Sequence, residues 1–259
     1  MKILLVNEEG CFAPGIIALA KALSAQHRVV VVGPLSPLCG AGHTFTNGNA
    51  PIRVRQYFTQ LAKVKIFAVS GTPCDCVTLA LDKLLKSKPD MIISGIDSNN
   101  NRGETLWSSG VVSAAIEGTI QGIQSIAVSA DLRDAKGEGE FRKVASAFAR
   151  LLPSIVKAAK PETTLNVNFP VAEKGVRCGV KYTHVTNGLV DNGYVCDVNP
   201  FGLTYYWLKS PHGGFSKEVL EQRGDVYWLR QSCITVTPLK LDLTCADAIP
   251  ILEKAGLRL

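Results

Sequence analysis

The sequence predicts an α/β fold: a Rossmann-like, doubly wound, mainly parallel sheet with β-hairpin arms towards the C-terminus. Three observations point to it. From the N-terminus to about residue 170, short apolar runs alternate with segments whose apolar residues recur at helical spacing. Parallel neighbours need crossover helices, so this alternation means a sheet covered on both faces. The 259 residues are 46% hydrophobic and only 19% charged, which supplies a large core and argues against disorder.

The elements follow in order. Lys2 to Val6 (KILLV) reads as the first strand, and Gly15 to Gln26 as a helix with Ile16, Ile17, Leu19, Ala20 and Leu23 on its apolar face. Arg28 to Val32 and Lys65 to Val69 are the next strands, Cys76 to Leu85 a helix, and Asp90 to Ser94 a buried strand. Gly110 to Gln121 is a helix and Ser125 to Ser129 a strand. Phe141 to Ala159 is a long amphipathic helix with a kink expected at Pro153, followed by a strand from Thr164 to Phe169. From about Gly175 the texture changes to short aromatic runs, Tyr205-Tyr206-Trp207 and Val226-Tyr227-Trp228, which read as antiparallel hairpins. A last helix is expected over Cys245 to Ala255.

The whole chain, 1–259, is thus expected to form one domain: a core over 1–174, arms over 175–237 and a C-terminal segment over 238–259. Leu189 to Gly224 carries little helix signal, and either arms crossing a second subunit or an ordinary surface hairpin would account for it.

Composition excludes several classes. No apolar run approaches the roughly eighteen residues that cross a bilayer, and the chain enters a strand at once without a signal-peptide layout, so a cytoplasmic protein is expected. Most of the 8 cysteines should then be reduced. Cys74 and Cys76 form a CxC with no second pair at finger spacing, which argues against structural zinc. The net charge of +6 is scattered and builds no basic stripe interleaved with aromatics, so stable nucleic-acid binding is not expected.

Ligands of an open parallel sheet bind beyond the carboxyl ends of its strands, which singles out the loops there. Asn7-Glu8-Glu9-Gly10 follows the first strand, Gly33 to Asn47 the second, Ser70 to Pro73 the third, and Gly95 to Ser109 the strand ending at Ser94. Adjacent carboxylates at a buried strand end repel unless one is protonated or a cation lies between them, so Glu8 and Glu9 point to a divalent metal. The alternative is that they solvate or cap a helix start near Pro14. Asp97 adds a carboxylate in an asparagine-rich loop that could equally be a solvated turn. Ser109 and Gly110 open a helix whose free amides suit an anion, although serine there is also a good N-cap.

Several motifs together carry a family resemblance. NEEG, the APG of Ala13 to Gly15, GTPCDCV (Gly71 to Val77), SGID (Ser94 to Asp97), SSGVVSAAIEG (Ser108 to Gly118), NVNFP (Asn166 to Pro170) and TVTPLKLDLT (Thr235 to Thr244) resemble, in order and nearly end to end, the SurE family of survival-protein nucleotidases. The resemblance implies metal-dependent hydrolysis of nucleoside monophosphates, or of another small phosphate ester, by a homodimer or tetramer joined through arms around Pro200 to Arg223. It also implies a metal held by two aspartates, a serine and an asparagine. Here those positions are Glu8, Glu9, Cys39 and Asp97, so every implied ligand is substituted. The resemblance places a glycine at Asn99 and a threonine at Val111, while Asn101, Ser109 and Gly110 are retained as implied substrate-binding residues.

The substitutions have physical consequences. Each glutamate reaches about one bond length further than aspartate. Asp97 puts a charge where the resemblance implies a neutral amide, and Cys39 offers a thiolate. Added charge holds a cation harder but repels a phosphate dianion by about 3 kcal/mol per charge, at roughly 5 Å and an effective dielectric near 20. Two glutamates, an aspartate and a cysteine remain competent ligands, which implies a retuned site for Mn, Mg, Co or Zn. A non-catalytic binding protein, or a hydrolase for a substrate without a phosphate dianion, are the competing readings. Cys39 could also be a packing residue, and His43 either an added ligand or proton carrier or an exposed loop histidine.

Overall fold

The computed structural model describes residues 1–46, 48, 50–59, 61, 64–132, 137–170, 176, 178–188, 193–208 and 216–256. In chain order the elements are β1 (Lys2–Val6), α1 (Pro14–Ser24), β2 (Arg28–Pro34), β3 (Val54–Phe58), β4 (Lys65–Val69), α2 (Pro73–Leu79), β5 (Met91–Asp97), α3 (Gly110–Ile120) and β6 (Ser125–Ala130). There follow α4 (Glu138–Ala158), β7 (Thr164–Phe169), β8 (Val180–Tyr182), β9 (Tyr194–Val198), β10 (Thr204–Leu208), α5 (Lys217–Glu221), α6 (Asp225–Arg230), β11 (Ile234–Leu239) and α7 (Ile249–Ala255).

Nine strands form one sheet in the order β3-β4-β2-β1-β5-β6-β7-β11-β8, and β9 and β10 form a separate antiparallel pair. The run from β4 to β7 is parallel throughout. One face packs Ile3, Leu5 and Ile93 against Ile16 and Leu19 of α1 and Phe148 of α4, and the other packs Leu4, Val6 and Ile92 against Val77 of α2 and Ala114 of α3. Burial on both faces explains why these strands read as continuous apolar runs. The chain order reverses beside β1, between β2 and β5, and at such a switch point an open sheet offers a ligand site beyond the carboxyl ends of its strands.

The parallel strands lie where their apolar runs predict, and three departures have physical causes. β3 was not foreseen, because as an antiparallel edge strand paired only with β4 it buries little and shows no apolar face. Val226-Tyr227-Trp228, expected in a hairpin, is helical in α6 instead: Val226 and Leu229 are both buried at helical spacing, and the buried Asp225 stands at the first turn. The α2 helix starts earlier than expected, at Pro73, because Thr72 and Asp75 form a capping box, and it runs on into a π turn over Ala80–Leu84.

Tyr205-Tyr206-Trp207 does lie in a hairpin, β9–β10, whose Tyr206, Trp207 and Phe201 are exposed. The main sheet also continues beyond residue 175: β11 pairs antiparallel with β7, and β8 pairs parallel with β11. Pro238 is tolerated in β11 because the short β8 pairs only as far as Val236. α4 runs through Pro153 to Ala158. Six cysteines are free, as expected for most, whereas Cys178 and Cys233 are joined as a disulfide beside the starts of β8 and β11. Among the described residues no helix is long and apolar enough to cross a membrane. Gly175, the boundary residues 171–174, and 189–192 and 209–215 of the expected arms lie outside the described residues.

Candidate active site at the carboxyl ends of β1 and β5

Local folding brings the acidic residues together. The Asn7 side chain accepts from the Gly10 N–H at 3.1 Å and turns the chain sharply after β1, leaving Glu8 and Glu9 at the strand end. β5 loses register with β6 between Gly95 and Asp97, and such an irregularity re-aims the strand's last side chain. Asp97 is only 3% exposed and lies against Glu8, itself 4% exposed. The loop after β2 is zipped to this turn by the Leu38 N–H donating to the Glu8 carbonyl at 2.9 Å, which sets Cys39 beside the carboxyl groups.

Three further contacts fasten the same loop over α2 and α3. The Gly42 N–H donates to the Ser108 carbonyl at 3.0 Å, His43 Nε2 lies 3.0 Å from Glu117 Oε2, and the Thr46 N–H donates to the Asp75 carboxylate at 3.0 Å. His43 is therefore committed to Glu117 of α3. That pairing gives His43 a structural partner and explains its position without a ligand role.

Each acidic group is already hydrogen-bonded within the chain. Glu8 Oε2 accepts from the Gly110 N–H at 2.9 Å and from the Gly40 N–H at 3.1 Å. Glu9 Oε1 accepts from the Ser98 N–H at 3.2 Å and from the Ser98 hydroxyl. Asp97 Oδ1 accepts from the Asn99 N–H at 3.0 Å. Burial pushes Glu8 above the usual carboxylate range, against the lowering effect of the Gly110 and Gly40 amides. Burial, and next the Glu8 charge, push Asp97 well above it. Among the described residues, the ion pairs His43–Glu117, Lys83–Asp82, Lys143–Glu140 and Lys217–Glu221 leave Glu8, Glu9 and Asp97 aside. Burial and then the charges of Glu8, Glu9 and Asp97 raise the exposed Cys39 thiol to about 11. Without a cation it stays a thiol at neutral pH.

All four residues read as ligands thus lie near one another at the carboxyl ends of β1, β2 and β5, close enough for the charges of the three acids to act on Cys39. Among the described residues, however, no three His, Cys, Asp or Glu side chains form a ready-made metal cage. The donor set fits a divalent cation chemically, because two buried carboxyl groups in contact need either a proton or a positive partner between them.

The residues read as substrate-binding surround the same place. Ser109 caps α3 by accepting from the Val112 N–H at 3.1 Å, and the Gly110 amide is spent on Glu8. Asn101 is held through its backbone: its N–H donates to Ser129 Oγ at 3.2 Å, and its carbonyl accepts from Asn166 Nδ2 at 2.6 Å and Asn168 Nδ2 at 3.0 Å. Its side chain lies against Asp97, where it favours the charged form, yet its buried Nδ2 makes no hydrogen bond of good geometry. Sequence reasoning missed the clamping role of Asn166 and Asn168. Their signal was there, as two polar residues two apart in a strand buried on both faces. The Gly40 amide, a backbone donor, left no signal.

The comparisons with known proteins agree with this architecture. The family model described as survival protein SurE matches residues 3–192. A 5'-nucleotidase SurE from Thermoanaerobacter sp. (strain X514) is 34% identical over 260 residues, covering 100% of each chain. The 5'-nucleotidase SurE of Geobacter metallireducens is 38% identical over 247 residues, covering 94% of this chain and 93% of its own. The crystal structure of the SurE protein from Aquifex aeolicus superposes with a TM-score of 0.79 at 33% identity, covering 99% of this chain and 100% of that one. A fold, a crevice and a full-length similarity that coincide in this way place the chain in the SurE family.

Proposed function

We propose that this chain is a phosphomonoesterase that hydrolyses nucleoside monophosphates or a related small phosphate ester with the help of a divalent cation. The observation that carries this reading is the convergence of Glu8, Glu9, Asp97 and Cys39 in one crevice, in a chain similar end to end to proteins named 5'-nucleotidase SurE. These four residues would hold the ion, whether Mn, Mg, Co or Zn, which when bound supplies a Lewis acid for the phosphoryl group and lowers the pKa of water. Asn101 Nδ2 is a donor for a phosphoryl oxygen, and the amides of Gly40 and Gly110 would join it once Glu8, which now accepts from both, turns to the ion; the backbone clamp on Asn101 holds that residue in place beforehand. The purified chain should release phosphate from nucleoside monophosphates or an aryl phosphate with at least one of the four metals. No release with any of them overturns the reading.

One observation favours a second reading, a non-catalytic binding protein: the Glu8 carboxylate already lies on the amide of Gly110, where a phosphate would sit. Metal analysis separates the two. A stoichiometric ion that is lost in Glu9→Ala contradicts a dead site. The assembly proposed is a homodimer, supported by the exposed apolar surface of β9–β10, in which Phe201 is 89% exposed. Size-exclusion chromatography with light scattering tests it, and a monomer overturns it.

A further inference from the structure

We infer that the Glu8 carboxylate is the internal occupant of the anion seat at the start of α3, and that phosphate enters this seat only after a cation has drawn Glu8 away. The inference rests on the phosphatase reading for the nature of the ligand, and adds to it an order of binding. Two main-chain donors from separate segments, Gly40 in the loop after β2 and Gly110 at the first turn of the 11-residue α3, converge on the single oxygen Oε2 of Glu8. Convergent amides at the positive end of a helix dipole make a site for an anion. In this chain the anion is the protein's own side chain.

Two further observations fit the same account. Asn101, 4% exposed and clamped through its backbone, lies against the neighbouring Asp97, and its buried Nδ2 makes no hydrogen bond of good geometry there. A buried donor without an acceptor marks a place where an acceptor belongs. The Glu8 side chain also lies flat on the helix start: a Cβ at Gly110 would come within 2.9 Å of Glu8 Oε2 and 3.1 Å of Glu8 Cβ. A tetrahedral anion cannot share that volume with Glu8, so one must leave for the other to enter. Glu8 is also one of the four groups that a cation would recruit, and its withdrawal would expose both amides together. The cation is then required for phosphate to bind, before any chemistry.

Glycine-selective 15N labelling with two-dimensional NMR reads the seat directly through the Gly40 and Gly110 amides, with orthophosphate and Mg2+ as the probes. In wild-type protein in EDTA, phosphate should leave both resonances in place. Mg2+ should move both, and phosphate should then bind at least tenfold tighter than in EDTA. In Glu8→Ala, phosphate in EDTA should move both resonances and bind at least tenfold tighter than to wild type. Glu9→Ala removes the same charge from the cluster without emptying the seat, and in EDTA phosphate should leave both of its resonances in place, as in wild type. Glu8→Ser replaces Glu8→Ala should the latter not fold. The proposal is overturned if the wild-type amides respond to phosphate in EDTA, if Mg2+ binds and leaves them unmoved, or if Glu9→Ala matches Glu8→Ala. Should no cation bind at all, the metal-enzyme reading fails, and the EDTA measurements alone decide whether Glu8 blocks the seat.

Discussion

Two buried acidic regions lie a short way apart in this molecule, and they are built on opposite terms. Asp225 is fully buried at the first turn of α6, and its carboxylate accepts from the Gly103 N–H at 2.9 Å, the Thr186 N–H at 3.0 Å, the Thr186 hydroxyl at 2.7 Å and the Val226 N–H at 2.7 Å. It ties the loop after β5 to the loop after β8. Glu8 and Asp97 are nearly as buried but lie against each other, and each takes fewer donors. A carboxylate that accepts from four donors is scaffolding, whereas two carboxyl groups that lean on each other with few donors favour a proton or a cation between them. The comparison separates a knot that holds the crevice walls from the group inside them that is waiting for a ligand.

The comparison can be broken or sharpened in four ways. The largest effect is expected at the scaffold: Asp225→Ala leaves the Gly103 N–H and the Thr186 N–H and hydroxyl without their acceptor, the Val226 N–H keeping Thr186 Oγ1, and should cost about 3 kcal/mol of stability or more, read from urea unfolding. A loss under about 1 kcal/mol would remove Asp225 from the scaffold. Asp97→Asn should act in the other direction. It removes a buried ionisable group beside Glu8, so metal-free protein should gain about 1 kcal/mol, the size usual for a stabilising substitution, while losing phosphate release. A variant that is destabilised without metal would show that the acid pair is not strained.

The third test uses pH. Glu8 and Asp97 both lie above their ordinary values of 4.5 and 3.8 when folded, so above those values the native state binds more protons than the unfolded one. Their contribution to stability is fully present below the unfolded values and is lost as the pH rises through the folded ones. In EDTA the advantage of Asp97→Asn over wild type should therefore widen as the pH rises above those ordinary values. A gap that narrows over that window would reverse the sign assigned to the pair. The smallest effect concerns Cys39, whose thiol at about 11 should alkylate at pH 8 about tenfold more slowly than a free thiol, the scarcity of thiolate being partly offset by its nucleophilicity. Glu9→Gln should speed it, and mass spectrometry of iodoacetamide-treated protein reads the rate. Alkylation at the free-thiol rate would place Cys39 away from the carboxylates.

Local pattern carried the centre of the molecule. Strands β1, β2, β4, β5 and β6 are mostly apolar runs because both of their faces are covered, so their neighbours in sequence announce them. The strand-end position of Glu8, Glu9 and Asp97 followed from the same runs. Elements whose burial depends on distant partners stayed hidden. β3 is an edge strand with little burial, and α6 is helical because its apolar residues face the core and Asp225 meets loops far away in sequence.

By itself, the sequence determined the doubly wound sheet, the family, and the set of acidic residues that stand at its carboxyl edge. These depend on residue type and on periods of two and of three to four, which any short stretch of chain displays. Tertiary structure decided what those residues do to one another. The contact between Glu8 and Gly110 spans 102 residues, and the one between Glu9 and Ser98 spans 89. No periodicity reports that a glutamate's extra methylene places its carboxylate on the first amide of a distant helix. That contact exists only once β1, the loop after β2 and α3 have been packed against one sheet, and it is what turns an acidic strand end into a seat with an occupant.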